Sequence, residues 1–378
     1  MKIAPIWLCL ILLISSSAIS QESNSPTFGK GLFNLVGKDS TWTMNVGARM
    51  QILAISNWNA VDGSLINPEQ NFLVRRARLK FGGFAYSPKL EYKLELGLSN
   101  RDISGASQYT SNAPRYILDA VVKWNFYKNF VLWFGQTKLP GNIERVISSG
   151  DLQQVDRSLL KFLVREIFAV SQGEGRNITT GNLGGHQYTS RLELLPFGEF
   201  LSKGEYKGSD LKREQTPKLM VAATFDSNKN AVKTRSNQGT YMFNDTGLFE
   251  TDINTLFIDA MFKYNGYSFM GEYAHRTADN PLALNSDGSL TGDEVQVGDG
   301  INLQTGYLFR NNLEVSGRFT NIKLDEEITG RNPQSQYTLG LSKYIVGHKL
   351  KIQTDLSYLS EKAGQDGLMY RLQLDIHF

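Results

Sequence analysis

Tyr370-Arg371-Leu372-Gln373-Leu374-Asp375-Ile376-His377-Phe378 is the stretch that decides the fold. Side chains of an extended chain alternate sides, so Tyr370, Leu372, Leu374, Ile376 and Phe378 share one face. Arg371, Gln373, Asp375 and His377 share the other. A strand with one apolar and one polar face has an apolar medium on one side and water on the other. A soluble sandwich would satisfy the same alternation with its wet face outside.

The period of two recurs from near residue 41 onward. Trp42, Met44, Val46, Ala48, Met50 and Ile52 alternate with Asn45, Arg49 and Gln51. Leu90, Tyr92, Leu94, Leu96 and Leu98 alternate with Glu91, Lys93 and Glu95. Tyr116, Leu118, Ala120, Val122, Trp124 and Phe126 oppose Asp119, Lys123 and Asn125. Leu256, Ile258, Ala260, Phe262 and Tyr264 oppose Asp259 and Lys263, and Leu350, Ile352, Thr354, Leu356 and Tyr358 oppose Lys351, Gln353 and Asp355. The pattern blurs between Val164 and Phe225.

Short reversals fall at 126–130, 309–313 and 344–348, and longer polar connections at 99–114, 279–300 and 323–334. Short turns alternating with long loops are how outer-membrane barrels are built. The count of candidate strands is about 15 to 17, and the preference for even numbers selects 16. The fold read from the residues is all-β: a transmembrane antiparallel β-barrel of about 16 strands, wide enough for an aqueous channel. Trp42, Tyr92, Trp124, Phe126, Tyr127, Phe130, Trp133, Tyr264, Tyr267, Tyr307 and Tyr344 sit near strand ends, as belts at two membrane interfaces would require.

The start of the chain reads as an export signal over 1–20. Lys2 is followed by the apolar run Ile6 to Ile14, and Ala18 and Ser20 have the small-residue spacing for a cut before Gln21. That run is short for a membrane helix, and no later stretch approaches 18 apolar residues. A lead-in over 21–40 and a barrel over 41–378 complete the organisation. The single cysteine, Cys9, lies in the signal, so the exported chain would hold neither disulfide nor cysteine metal site. A net charge of +3 without basic blocks gives no reason to expect nucleic acid.

Two segments carry a family resemblance. One is Phe72-Leu73-Val74-Arg75-Arg76-Ala77-Arg78-Leu79-Lys80-Phe81-Gly82-Gly83. The other is Trp133-Phe134-Gly135-Gln136-Thr137-Lys138-Leu139-Pro140, followed by Glu144-Arg145, Ser148-Ser149, Leu152-Gln153 and Asp156-Arg157-Ser158. With the alternating remainder and the terminal Phe378, the chain resembles the phosphate-selective porins O and P of Gram-negative outer membranes. The resemblance implies a 16-strand barrel, a homotrimer, and a third loop folded into the lumen as the constriction, matched here by 141–161. It also implies small anions or other hydrophilic solutes as cargo, in an outer membrane of lipid and lipopolysaccharide. Phe378 resembles the terminal aromatic by which the barrel-assembly machinery recognises its clients; it would also anchor the closing strand.

Arg76, Arg78 and Lys80 share one strand face, and three cations facing lipid would each be costly, so they are expected in the lumen. They form either an anion-attracting track or a structural charge network with Glu91 and Glu95 on the neighbouring strand; the nearby acids favour the network. Lys138, Arg145 and Arg157 are the candidates for control of permeation, because a charge in a narrow water path outweighs one in a wide vestibule. Glu144, Asp151 and Asp156 stand among them and would give a mixed field; alternatively Arg145 and Arg157 pin the loop to the wall. Arg191, Arg318 and Arg371 are further lumen-facing basic residues by alternation.

The residues offer no catalytic constellation. His186, His275, His348 and His377 are scattered, and there is no HExxH, no GxSxG elbow and no phosphate-cradling glycine loop. No enzyme activity, cofactor or metal is therefore expected. The leading reading is passive diffusion through a porin, with a general weakly selective porin and a surface-binding or adhesion barrel as alternatives. The adhesion reading would use 279–300, where Asp279, Asp287, Asp293, Glu294 and Asp299 could attract calcium without an EF-hand pattern.

Overall fold

The computed structural model describes residues 27–103, 105–128, 130–139, 143, 147–157, 167–178, 183–362 and 364–378. The export segment 1–20 with its cut site, and Glu144 and Arg145, lie outside them. The first strands are β1 (Phe33–Val36), β2 (Thr43–Val61), β3 (Ser64–Ala85), β4 (Ser87–Gly97), β5 (Ile117–Tyr127) and β6 (Phe130–Gln136). They are followed by β7 (Ile167–Ser171), β8 (Gln187–Leu194) and β9 (Lys218–Ala231). Short loop strands come next: β10 (Lys233–Arg235), β11 (Gln238–Tyr241), β12 (Phe243–Asn244) and β13 (Gly247–Leu248). Then stand β14 (Thr251–Tyr264), β15 (Tyr267–Ala278), the loop strands β16 (Leu282–Leu284) and β17 (Leu290–Glu294), and β18 (Gly298–Leu308). β19 (Leu313–Leu324), β20 (Gln334–Val346), β21 (Leu350–Glu361) and β22 (Asp366–His377) end the chain.

One 16-stranded sheet holds the wall, in the order β6-β5-β4-β3-β2-β22-β21-β20-β19-β18-β15-β14-β9-β8-β7, with β1 added on β2. The C-terminal β22 lies antiparallel to β2, which joins the two ends of the chain in the wall. Every step along the path reverses direction, so its end strands β6 and β7 point the same way. Among the described residues the path holds 15 strands, and β1 on β2 brings the sheet to 16. β14, β15 and β18 to β22 have 11 to 14 residues each, enough to cross the hydrocarbon at a tilt. Their turns are tight: β14 and β15 meet at Asn265-Gly266, both with positive φ, the turn whose twist suits a two-residue hairpin.

The side chains are sorted as in a soluble protein turned inside out. Along β21, Lys351, Gln353, Asp355 and Ser357 are buried while Ile352, Leu356 and Tyr358 are exposed. Along β22, Arg371, Gln373, Asp375 and His377 are buried while Tyr370 and Leu372 are exposed. An exposed wall of Leu, Ile, Val and aromatic side chains over a polar interior belongs in lipid. Of the aromatics expected in interface belts, Trp124, Phe126, Tyr127, Phe130 and Trp133 are exposed around the β5–β6 turn. Tyr344 is a correction: it falls in the inward phase of β20, is buried, and bonds Glu314 Oε2 at 2.7 Å.

The blurred stretch of the sequence also has an explanation. It contains short β7 and β8 and the connection 195–217, which sits at the otherwise short-turn end of the barrel. The acids of 279–300 are distributed among separate partners: Asp293 accepts from Phe243 N, Glu294 pairs with Arg331, and Asp299 with His275.

Leu339 stands 64% exposed on the outer face of β20. Leu339→Arg should cost roughly 2–4 kcal/mol if that face lies in hydrocarbon, read as denaturant unfolding in lipid vesicles. Unchanged stability would place the face outside the membrane core.

Candidate constriction site

The site begins with a β-bulge. Gln51 on β2 faces Arg76, but the next residue, Ile52, faces Val74, so Arg75 is the extra residue in β3. A bulge breaks the alternation, and Arg75 and Arg76 are both buried towards the lumen. Simple period-two reading assigned Arg76, Arg78 and Lys80 to this face and missed Arg75. The doublet Arg75-Arg76 inside an alternating strand was the available signal.

Onto this wall folds the segment 147–157 of the connection that follows β6. It crosses the interior to strands that stand seventh to eleventh from β6 in the path. Gln153 alone touches five of them in succession. Its amide nitrogen donates to Ser268 Oγ on β15 at 2.9 Å and Glu314 Oε1 on β19 at 2.7 Å, and its amide oxygen accepts from Gln304 on β18 at 2.7 Å. Its backbone carbonyl accepts from Ser342 on β20 at 3.0 Å and Gln353 on β21 at 2.9 Å. Lys351 Nζ donates to the Leu152 carbonyl at 2.9 Å, and Asp355 accepts from Val155 N at 3.2 Å. Gly306 makes room for this: a Cβ there would come within 2.0 Å of Gln153 Nε2.

Asp156 is the electrostatic centre. Arg75 bonds its carboxylate, Arg76 approaches to 4.0 Å, and Arg318 donates to its carbonyl oxygen at 2.8 Å. Burial would raise the Asp156 pKa, but Arg75, Arg76 and Arg371 together hold its carboxyl well below the usual range. Arg157 ties the segment to itself, donating to the Ile147 carbonyl at 2.8 Å. Lys138 stands between β6 and the loop; burial pushes its ammonium down, and the charge of Arg157 adds to the effect. Asp151 lies 3.9 Å from His348 Nδ1, and its backbone carbonyl accepts from Gly208 N at 2.9 Å.

Several other basic residues of the wall have carboxylates beside them. Arg78 bonds Glu95 at 2.9 Å and Asp102 at 2.6 Å, so Glu95 partners it across the hairpin. Glu91 does not join this group, being in register with Lys123 on β5. Arg191 bonds Asp259 and Glu193, Arg371 bonds Asp355 at 2.7 Å, and Arg49 bonds Asp375 at 2.8 Å. Lys80 on β3 stands in register with Glu95 on β4. Phe378 sits at the closing edge, its N–H donating to the Ala48 carbonyl at 2.9 Å and its ring edge-on to Phe28 at 5.8 Å. Sequence reasoning also missed Arg49, Asp355 and Asp375, each of which lies in the polar phase of its strand.

Asp156 has a depressed pKa, so its contribution is present above the ordinary carboxylate pKa of about 4 and is lost only as pH falls through the lower folded value. The part of the acid response owed to Asp156 should therefore appear in channel conductance only below about pH 4. Asp156→Asn should abolish that acid transition in planar-bilayer recordings. A transition retained in the variant would assign it to another group.

Residues 45–244 match the family described as phosphate-selective porin O and P. Among solved structures, the anion-selective porin from Comamonas acidovorans superposes with a TM-score of 0.53 at 12% identity, over 89% of this chain and 100% of that one. The outer-membrane channel DcaP of Acinetobacter baumannii gives 0.50 at 11% identity, over 91% and 99%. The trimer form of OmpT, an outer-membrane protein of Vibrio cholerae, gives 0.50 at 11%, over 89% and 99%. At such identities these likenesses establish the fold. No curated protein sequence matches the chain. A lipid-facing antiparallel barrel, a polar lumen crossed by its third loop, and a family match over more than half the chain lead to one conclusion: this protein belongs to the phosphate-selective porin O and P family and is an outer-membrane porin for passive diffusion of small hydrophilic solutes.

Proposed function

We propose that the channel favours small anions, inorganic phosphate among them, through contacts weak enough to let each ion leave. The observation that carries this reading is the convergence of Arg75, Arg76, Arg318 and Arg371 on Asp156, where the third loop meets the wall. Guanidiniums gathered in a confined water path lower the barrier for anions and raise it for cations. Transport has no chemical step; solutes run down their gradient past this cluster. The paired charges Arg78–Glu95, Arg191–Asp259 and Arg49–Asp375 support a second reading, a weakly selective general porin, because each pair cancels much of its own field.

The same reading includes export by a signal peptide cut before Gln21, insertion by the barrel-assembly machinery through Phe378, and a homotrimer in a lipopolysaccharide-bearing outer membrane. In this reading Lys138, Glu144, Arg145, Asp151, Asp156 and Arg157 line the solute path.

Reversal potentials under a chloride gradient should show anion preference, with added phosphate depressing the chloride current. Arg75→Gln should reduce the anion-to-cation permeability ratio by roughly threefold. Cation preference in the wild-type channel would sink the anion reading and leave the general porin.

A further inference from the structure

The connection between β8 and β9 breaks the rule of its own end of the barrel. The hairpins β14–β15, β18–β19 and β20–β21 turn there within a few residues, yet this connection runs over 195–217. In porins the short turns face the periplasm. Instead of hanging outside, the segment folds into the lumen. Glu205, Ser209, Asp210 and Glu214 are all buried.

Polar contacts hold it there. Lys263 Nζ on β14 donates to the carbonyls of Lys207 at 2.8 Å and Ser209 at 2.7 Å. Ser209 bonds Glu314, which also accepts from Gln153 of the third loop. Gly208 N donates to the Asp151 carbonyl at 2.9 Å, and a Cβ at Gly208 would lie 2.8 Å from that of Gln153. The two inserted segments, one from each end of the barrel, are thus in direct backbone contact.

An apolar cluster adds to these bonds. Met220, Met261 and Met270 stand side by side across β9, β14 and β15, in the inward phase that Ile253 and Phe257 of β14 share. They are covered by Ile143, Ile147 and Leu152 from the third loop and by Phe200 from the β8–β9 connection. An apolar patch facing pore water would be unfavourable, and methionine packs readily against irregular neighbours. The patch makes sense as a seat that both segments occupy together.

We propose that the β8–β9 connection is a fixed second constriction element, inserted from the periplasmic end, which sets pore width and selectivity jointly with the third loop. The inference rests on the porin reading. It places part of the permeability control in 199–214, a segment outside the family's two recognisable motifs in this chain.

The test uses the full chain in planar bilayers. Replacing 199–214 with a short Gly-Ser linker should raise unitary conductance at least about threefold and bring the reversal potential toward zero. Residues 10–378 hold no cysteine, so Lys207→Cys can be labelled alone with a cationic methanethiosulfonate reagent. The label should lower unitary conductance, and reduction should restore the unlabelled value. A linker variant with wild-type conductance and selectivity would overturn the proposal and leave the porin intact. So would a label that attaches and leaves conductance unchanged, since the segment would then lie outside the solute path. The label decides the matter if the linker variant does not fold. A folded linker variant carrying no current would overturn the porin reading itself.

Discussion

Inside hydrocarbon no water is present to satisfy a backbone N–H or C=O, and everything else in this protein follows from meeting that constraint with strands. Among the described residues each strand of the path between β6 and β7 pairs on both sides, and β22 returns to β2, so strands from the two ends of the chain lie side by side. Once the backbone is paired in this way, the side chains have only two places to go. Those of one phase meet lipid and are apolar; those of the other meet the lumen and are polar. The exposed Leu372 and buried Gln373 are neighbours in sequence and occupy different solvents.

Placing many charged groups on the inner phase creates a second problem, since a narrow lumen has little water to screen them. The wall handles it by pairing across adjacent or nearby strands, as with Arg371 and Asp355 or Arg191 and Asp259. Around Asp156 the arrangement differs. There the bulge turns a second arginine inward, and several guanidiniums share one loop carboxylate. The excess of positive charge is therefore local, which suits a filter better than a uniformly basic tube.

The inserted segments are held by groups that do not look functional in sequence. Lys351 and Lys263 would pass for ordinary lumen cations, yet each spends its ammonium on loop carbonyls. Gln153 links five strands, so a neutral amide places the third loop against the wall, and the Arg157 side chain donates within the loop. Gly306 contributes by absence of a side chain.

What the sequence by itself determined is the barrel. The alternation at Tyr370–Phe378 and its repeats specify membrane strands, because period two is a property of the extended backbone and needs no knowledge of neighbours. The tight reversals at 126–130, 309–313 and 344–348 were legible for the same local reason. Tertiary structure alone decided which inward residues meet. Arg75 enters the lumen through a pairing slip between β2 and β3, and Tyr344 lies inside although its position near a turn suggested a belt. The β8–β9 connection left only a blurred period, since a segment that packs inside a pore needs no regular repeat. Its place depends on Met220, Met261, Met270 and the third loop, which lie far apart along the chain and become neighbours only when the wall is assembled.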